Sequence, residues 1–364
     1  MKIGILTLPF NANYGGILQA YALQTVLEQM GHNACHINRL PHHHLPVLLR
    51  PVAYAKRLVE RYVLGRRKRI FFEDYHNAIM QHTNVFISQY IRMAGKDGVN
   101  GLKATDFDAI IVGSDQVWRR DYWRDITTPY LSFAREWPIR RVAYAASFGL
   151  GTWQYTQQQT RQCAQLLARF DQVSVREEEA VSLCRQHLGC DAVVMPDPTL
   201  LLRREDYLQL LPEAPAASDT AEPILFAYLL GDNENDISQA QRLAKEHGMQ
   251  LRSIIASDNP ERPLSACVRP PLEEWLQGIA AASLVVTNSF HGCVLASIFG
   301  KPFVALGHQQ GGLGRILSLL HSLGFEENPS ALSVSNIYNA GLPDVQQRIA
   351  HLRQQGLDYL RQIQ

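Results

Sequence analysis

Thiol pairs are missing from this chain. Its 364 residues include six cysteines, Cys35, Cys163, Cys184, Cys190, Cys267 and Cys293, and none forms a C-x-x-C pair. That speaks against a disulfide framework or a thiolate metal site, and reduced, buried thiols in a cytoplasmic protein are expected. Charge of one sign is missing too: 35 Lys and Arg face 34 Asp and Glu, leaving a formal net charge of +1. No global field points to nucleic acid. No apolar run approaches the length of a membrane span, and the run Ile3 to Leu8, ended by Pro9, is too short for a signal-peptide core. The dinucleotide fingerprint G-x-G-x-x-G is absent. The sharpest absence is local. From Trp275 through Phe325 there is no Asp and no Glu, only Lys301 and Arg315 as formal charges, with His291, His308 and His321 able to titrate. Cations without carboxylates make a poor metal site and a good anion site.

What is present in that interval explains its interest. Leu284-Val285-Val286 reads as a buried strand. Thr287, Asn288 and Ser289 favour turns and caps. Phe290, His291 and Gly292 follow, then an apolar helix from Val294 to Phe299, stopped by Gly300 and Pro302. Phe303 to Leu306 restarts a strand. Ser289 and His291 therefore fall at the carboxyl end of a strand, where open parallel sheets bind ligands, and a helix start there suits an anion. A buried layer accounts for the missing acids equally well, but not for the polar Gly-rich loop Gly307 to Arg315.

The length implies two domains. Lys2 to Leu8 reads as a first strand, followed by the polar loop Asn11 to Gly16 and a helix from Ile17 to Gln29, the opening of a doubly wound domain. Gly15 and Gly16 would let backbone approach a ligand closely. His42, His43 and His44 lie between prolines and read as a polar loop rather than a metal site. Arg50 to Arg69 is strongly basic with interleaved apolar residues. It reads as a solvated helix face or as a peripheral contact with an anionic membrane. Further strands end at Ser114-Asp115-Gln116, Arg176-Glu177 and Pro196-Asp197-Pro198, lining one sheet edge with Asp115, Arg176 and Asp197. Leu211 to Pro223 is rich in Pro, Ala and Ser and reads as a linker. The expected domains are 1–210, which holds Arg176, and 223–340, with a terminal helix at 341–364.

Five strings occur in order: N-Y-G-G from Asn13, V-G-S-D-Q-V-W at 112–118, S-V-R-E at 174–177, P-D-P-T at 196–199 and S-F-H-G at 289–292. Together they resemble the polysaccharide pyruvyl transferase family, over roughly Met1 to Leu323. The resemblance implies two Rossmann-like domains facing a central cleft, as in B-type glycosyltransferases. It implies phosphoenolpyruvate as donor substrate, no cofactor, and a glycan or lipid-linked oligosaccharide diol as acceptor, giving a cyclic pyruvate ketal. It associates Arg176 and His291 with the donor. One departure stands out: many members read R-L-H where this chain reads Ser289-Phe290-His291, which leaves Arg315 or Lys301 to supply the missing cation.

Chemistry distributes roles among these residues. A guanidinium grips a carboxylate with two parallel N–H bonds, so Arg176 is expected at the donor anion. Protonating a vinyl carbon needs an acid near neutrality, which suits His291, either in that role or as a phosphate ligand. Ser289, Gly292, Lys301 and Arg315 complete the donor side. Asp115 is the preferred base for the acceptor, with Asn13, Tyr14, Gly15, Gly16, Gln116 and Asp197 around the sugar; Asp197 between two prolines also reads as a turn residue. No metal is expected. Cys293 reads as packing rather than as a nucleophile. Two rival readings use the same fold. One is a nucleotide-sugar glycosyltransferase, for which Asp106-Phe107-Asp108 mimics a D-x-D motif but precedes its strand. The other is a catalytically silent glycan-binding protein.

Overall fold

Two parallel sheets organise the chain. We describe a computed structural model, covering residues 1–37, 45–65, 69–95, 98–212, 222–307, 313–325 and 336–363. The His42–His44 run, most of the expected linker and the centre of the Gly-rich loop lie outside the described residues.

The first sheet holds β1 (Lys2–Leu6), β2 (Asn33–Ile37), β3 (Met93–Ala94), β4 (Ala109–Val112), β5 (Arg140–Ala146), β6 (Gln172–Val175) and β7 (Val193–Val194). Their order is β3-β2-β1-β4-β5-β6-β7, and every pairing is parallel. The second sheet holds β8 (Ile224–Leu230), β9 (Gln250–Ala256), β10 (Leu284–Thr287), β11 (Pro302–Ala305) and β12 (Tyr338–Asn339). Its order is β12-β11-β10-β8-β9, with β12 alone antiparallel. Central strands such as β4 and β10 are buried along their whole length. Helices cover both faces, so these strands are unbroken apolar runs rather than alternating ones.

The helices are α1 (Tyr14–Gln29), α2 (Arg50–Tyr62), α3 (Phe72–Tyr90), α4 (Gln157–Leu167), α5 (Glu178–Leu183), α6 (Arg204–Leu208), α7 (Glu234–Glu246), α8 (Leu272–Ala281), α9 (Phe290–Ile298), α10 (Leu313–Ser322) and α11 (Pro343–Arg361). Two of them begin earlier than the sequence pattern indicates. Asn13 caps α1 by accepting the Gly15 N–H, and Ser289 caps α9 by accepting the Gly292 N–H. Each cap satisfies a first-turn donor that would otherwise go unpaired. As a result Gly15, Gly16 and His291 are helical residues, not loop residues.

The strand order reverses at β1 in the first sheet and at β8 in the second. The crevice outside the carboxyl ends of such strands is the usual ligand position. One apolar cluster runs between the sheets through α1, α8, α9 and α11. At its centre the Tyr14 ring lies 5.3 Å from Trp275 and 6.0 Å from Tyr228, centroid to centroid. Full burial of side chains this size contributes about 1.5–3 kcal/mol each. The final helix α11 returns to the first sheet, where the Tyr359 hydroxyl donates to the Ala143 carbonyl at 3.2 Å. Gly356 permits that approach: a Cβ there would lie 2.4 Å from Leu201.

Candidate active site

Asp197 is where the two sheets meet chemically. It follows β7 and caps a short 3-10 turn, Pro198–Leu201. Its Oδ1 accepts the Thr199 N–H at 3.1 Å and the Thr199 hydroxyl at 2.7 Å. Its Oδ2 accepts from Arg176 Nη1 at 2.8 Å and from the Ser114 hydroxyl at 3.4 Å. The same oxygen lies 3.6 Å from His291 Nε2. Arg176 comes from the end of β6 and His291 from the first turn of α9. One carboxylate oxygen thus joins side chains from both sheets.

Arg176 is more heavily engaged than its sequence position indicates. Its Nε donates to Glu177 Oε1 at 2.9 Å, and its Nη2 lies 3.5 Å from Asp115 Oδ1. Its side chain is only 3% exposed. The guanidinium carbon sits 4.5 Å from the centroid of the Phe290 ring, a cation–π contact in a water-poor site. Burial alone would make this guanidinium easier to deprotonate. The carboxylates of Glu177, Asp197 and Asp115 override burial and hold it well above the usual range. Burial likewise pushes the Asp197 carboxyl upward, but His291 and Arg176 outweigh that and keep it well below the usual carboxylate range. Asp197 and Arg176 are therefore both ionised.

His291 is buried, 4% exposed, and its Nε2 has no hydrogen-bond partner among the described residues. The opposite edge of the ring rests on α1. A Cβ on Gly15 would fall 2.1 Å from His291 Nδ1 and 2.3 Å from Cγ. Gly15 is thus required by a side chain of the other unit. The space that sequence assigns to a ligand beside Gly15 is filled by the His291 ring.

Arg315, in the first turn of α10, brings a second guanidinium. Its Nη1 lies 3.9 Å from Asp115 Oδ1, and its Nε is buried with no hydrogen-bond partner among the described residues. Burial first, then repulsion from Arg176, pushes this guanidinium below its ordinary value. Arg315 lines a cavity of about 260 Å³ with Gly149, Glu177, Leu313, Gly314 and Leu317. One wall comes from the first unit and the other from α10. The space suits a compact ligand, below the usual size of a drug-sized pocket.

The remaining expected site residues divide into those near this cluster and those away from it. Asp115 is 5% exposed and adopts the left-handed region at φ 58. Gly16 is its neighbour, since a Cβ there would stand 3.8 Å from Asp115 Oδ2. Gln116 is buried and accepts from Arg119 Nη1 at 2.8 Å. Asn13 is exposed at the mouth of α1. Ser289 and Gly292 are buried at the start of α9.

Three expectations change, for Tyr14, Lys301 and Arg176, while Cys293 keeps its expected packing role. Tyr14 is fully buried and its hydroxyl donates to the Pro270 carbonyl, so it is packed between the units rather than offered to an acceptor. Lys301 follows the far end of α9, roughly 15 Å from its start at 1.5 Å per residue; it is half-buried and pushed down by burial and by Arg204. Arg176 has its donors committed to three acids, so its guanidinium is not an open fork. Cys293 is buried and its thiol is pushed far up by desolvation, which makes it inert packing. The D-x-D mimic stands at the amino ends of the strands, where Asp108 accepts the Lys2 N–H at 2.6 Å. Phe290, Glu177, Ser114 and Thr199 were missed as members of the site. Their sequence signal is membership of the same short strings that carry Asp115, Arg176, Asp197 and His291.

A family model described as polysaccharide pyruvyl transferase matches residues 13–310. No curated protein matches the chain. Solved structures with similar folds include Staphylococcus aureus MnaA with UDP, at 12% identity and a TM-score of 0.46, covering 98% of this chain and 91% of that one. The glycosyltransferase SsfS6 from Streptomyces sp. SF2575, complexed with thymidine diphosphate, aligns at 14% identity and a TM-score of 0.44, covering 100% and 99%. A UDP-GlcNAc 2-epimerase from Neisseria meningitidis bound to UDP-GlcNAc aligns at 12% identity and 0.42, covering 98% and 100%.

Proposed function

Because the chain belongs to the polysaccharide pyruvyl transferase family, we propose that it transfers pyruvate from phosphoenolpyruvate to two hydroxyls of a glycan, as a cyclic ketal. The observation that carries this reading is the convergence on Asp197 Oδ2 of Arg176 from one sheet and His291 from the other. A buried imidazole whose Nε2 lies 3.6 Å from an ionised carboxylate is equipped to pass a proton within the cleft.

In this mechanism His291 protonates the methylene carbon of the donor. Positive character develops on the adjacent carbon, and a sugar hydroxyl attacks it while Asp115 accepts the hydroxyl proton. The carbon–oxygen bond to phosphate then breaks, and a second hydroxyl closes the ketal. Three hydrogens end on the new methyl group and one on phosphate, matching the methylene pair and the two hydroxyl protons consumed. Arg315, whose buried Nε has no hydrogen-bond partner among the described residues, holds the donor's negative charge. Arg176 acts as a positioning residue that fixes Asp115 and Asp197. Asn13, Gln116 and Gly16 lie on the acceptor side.

The test is release of inorganic phosphate from phosphoenolpyruvate in the presence of bacterial glycan fragments or lipid-linked oligosaccharides. Acceptor-dependent release, with a product that loses pyruvate in mild acid, supports the reading. Release of nucleotide from a sugar donor, with none of phosphate, would replace it with glycosyl transfer.

A further inference from the structure

The helix α2 is built inside out. Its positions Leu48, Val52, Ala55, Val59 and Val63, counting the turn before it, recur at helical spacing and form one stripe. That stripe faces solvent: Leu48 is 90% exposed, Val52 70%, Val59 53% and Val63 73%. The opposite side, with Tyr54 and Arg57, faces the protein. Tyr54 packs edge-on to Phe71 at 5.1 Å, and Arg57 donates to the Ile70 carbonyl at 3.2 Å while lying 5.6 Å from the Phe72 ring. Among the described residues α2 has no buried position at all. A soluble helix ordinarily turns such a stripe to the core, so this one needs an outside partner.

The charge on the helix identifies the partner. Arg50, Lys56 and Arg61, with Arg57 turned toward the protein, outnumber the single acid Glu60 in a chain whose net charge is only +1. Lys56 is exposed on the flank of the stripe, between Val52 and Val59. A second copy docked on this face would bring like charges together. An anionic bilayer accepts both features at once: aliphatic side chains enter the headgroup boundary, cations remain at the phosphates, and Tyr62, 74% exposed, sits where aromatic rings prefer the interface. No described helix is long and apolar enough to cross a membrane. We propose that α2 with its preceding turn lies in the plane of an anionic membrane and docks the protein there.

Vesicle flotation of the full chain tests this without donor or acceptor, so its result is independent of the catalytic reading. Phosphatidylglycerol-rich vesicles should carry the protein up at low salt, and phosphatidylcholine vesicles should carry little. Lys56→Gln should weaken binding about fivefold, as expected for roughly one charge near the surface. Val52→Asp combined with Val59→Asp should abolish flotation, and both side chains are exposed, so folding should survive. If that variant does unfold, Val52→Ser with Val59→Ser serves, with a partial loss expected. Absence of binding to the anionic vesicles at low salt overturns the proposal. So does flotation that the paired substitutions leave intact. A concentration-dependent dimer that the same substitutions dissolve would assign the face to a second copy and overturn it equally.

Discussion

Replacing Gly15 by Ala tests the seating of His291 directly. The added Cβ would stand 2.1 Å from Nδ1, 2.3 Å from Cγ and 2.7 Å from Cβ of the imidazole. These contacts fall short of van der Waals separation by roughly an ångström or more. The imidazole is buried, so it cannot swing into solvent. Either α1 backs away from α9 or the ring leaves its place beside Asp197. Overpacking of this kind costs about 1–3 kcal/mol, and displacing a reacting group by about 1 Å costs about a hundredfold in rate. Gly278→Ala provides the matched control, because its Cβ would meet the buried Phe226 ring at 2.3 Å and no residue of the Asp197 cluster. Both variants should lose a few degrees in Tm, and only Gly15→Ala should lose kcat for phosphate release. Thermal unfolding and initial rates on the same preparations decide the matter. A Gly15→Ala enzyme with wild-type kcat would refute the account of how His291 is held, and so would an equal loss of kcat in both variants.

Arg315→Gln should raise the KM for phosphoenolpyruvate by tenfold or more, because a charge-assisted contact is lost, while Tm stays nearly constant; steady-state kinetics check this. Arg176→Met should destabilise the fold by about 3–5 kcal/mol, since Glu177 loses its charge partner and Asp197 and Asp115 each lose a buried guanidinium contact, and urea unfolding at neutral pH measures it. Asp197 has a carboxyl held low in the folded state, so its contribution is present above the ordinary carboxylate range and is lost as pH falls through and below it. Urea midpoints from pH 6 down to pH 3 should therefore fall more steeply for the wild type than for Asp197→Asn. Tyr14→Phe leaves the Pro270 carbonyl without its buried donor, at about 1–3 kcal/mol. The acceptor KM should not change, and a raised KM would return Tyr14 to the acceptor site.

Much of the fold follows from neighbours in sequence. β-branched apolar runs such as Asp108–Gly113 and Leu284–Val286 read as buried strands, and the turn residues after them place Asp115, Arg176, Asp197 and His291 past strand ends. Motif order was enough to identify the family. The pairings within the cluster were not legible, because they depend on segments far apart in the chain. Arg176 reads as an open anion clamp until Asp197, Asp115 and Glu177 are seen around it. Gly15 reads as a ligand-facing glycine until α9 is laid against α1, 276 residues away in numbering. Tyr14 reads as a polar site residue until its ring is found between Trp275 and Tyr228. Helix and strand are decided by local periodicity and caps. Which cation neutralises which acid is decided only when distant elements pack, since Coulomb energy depends on separation in space and on the water excluded there.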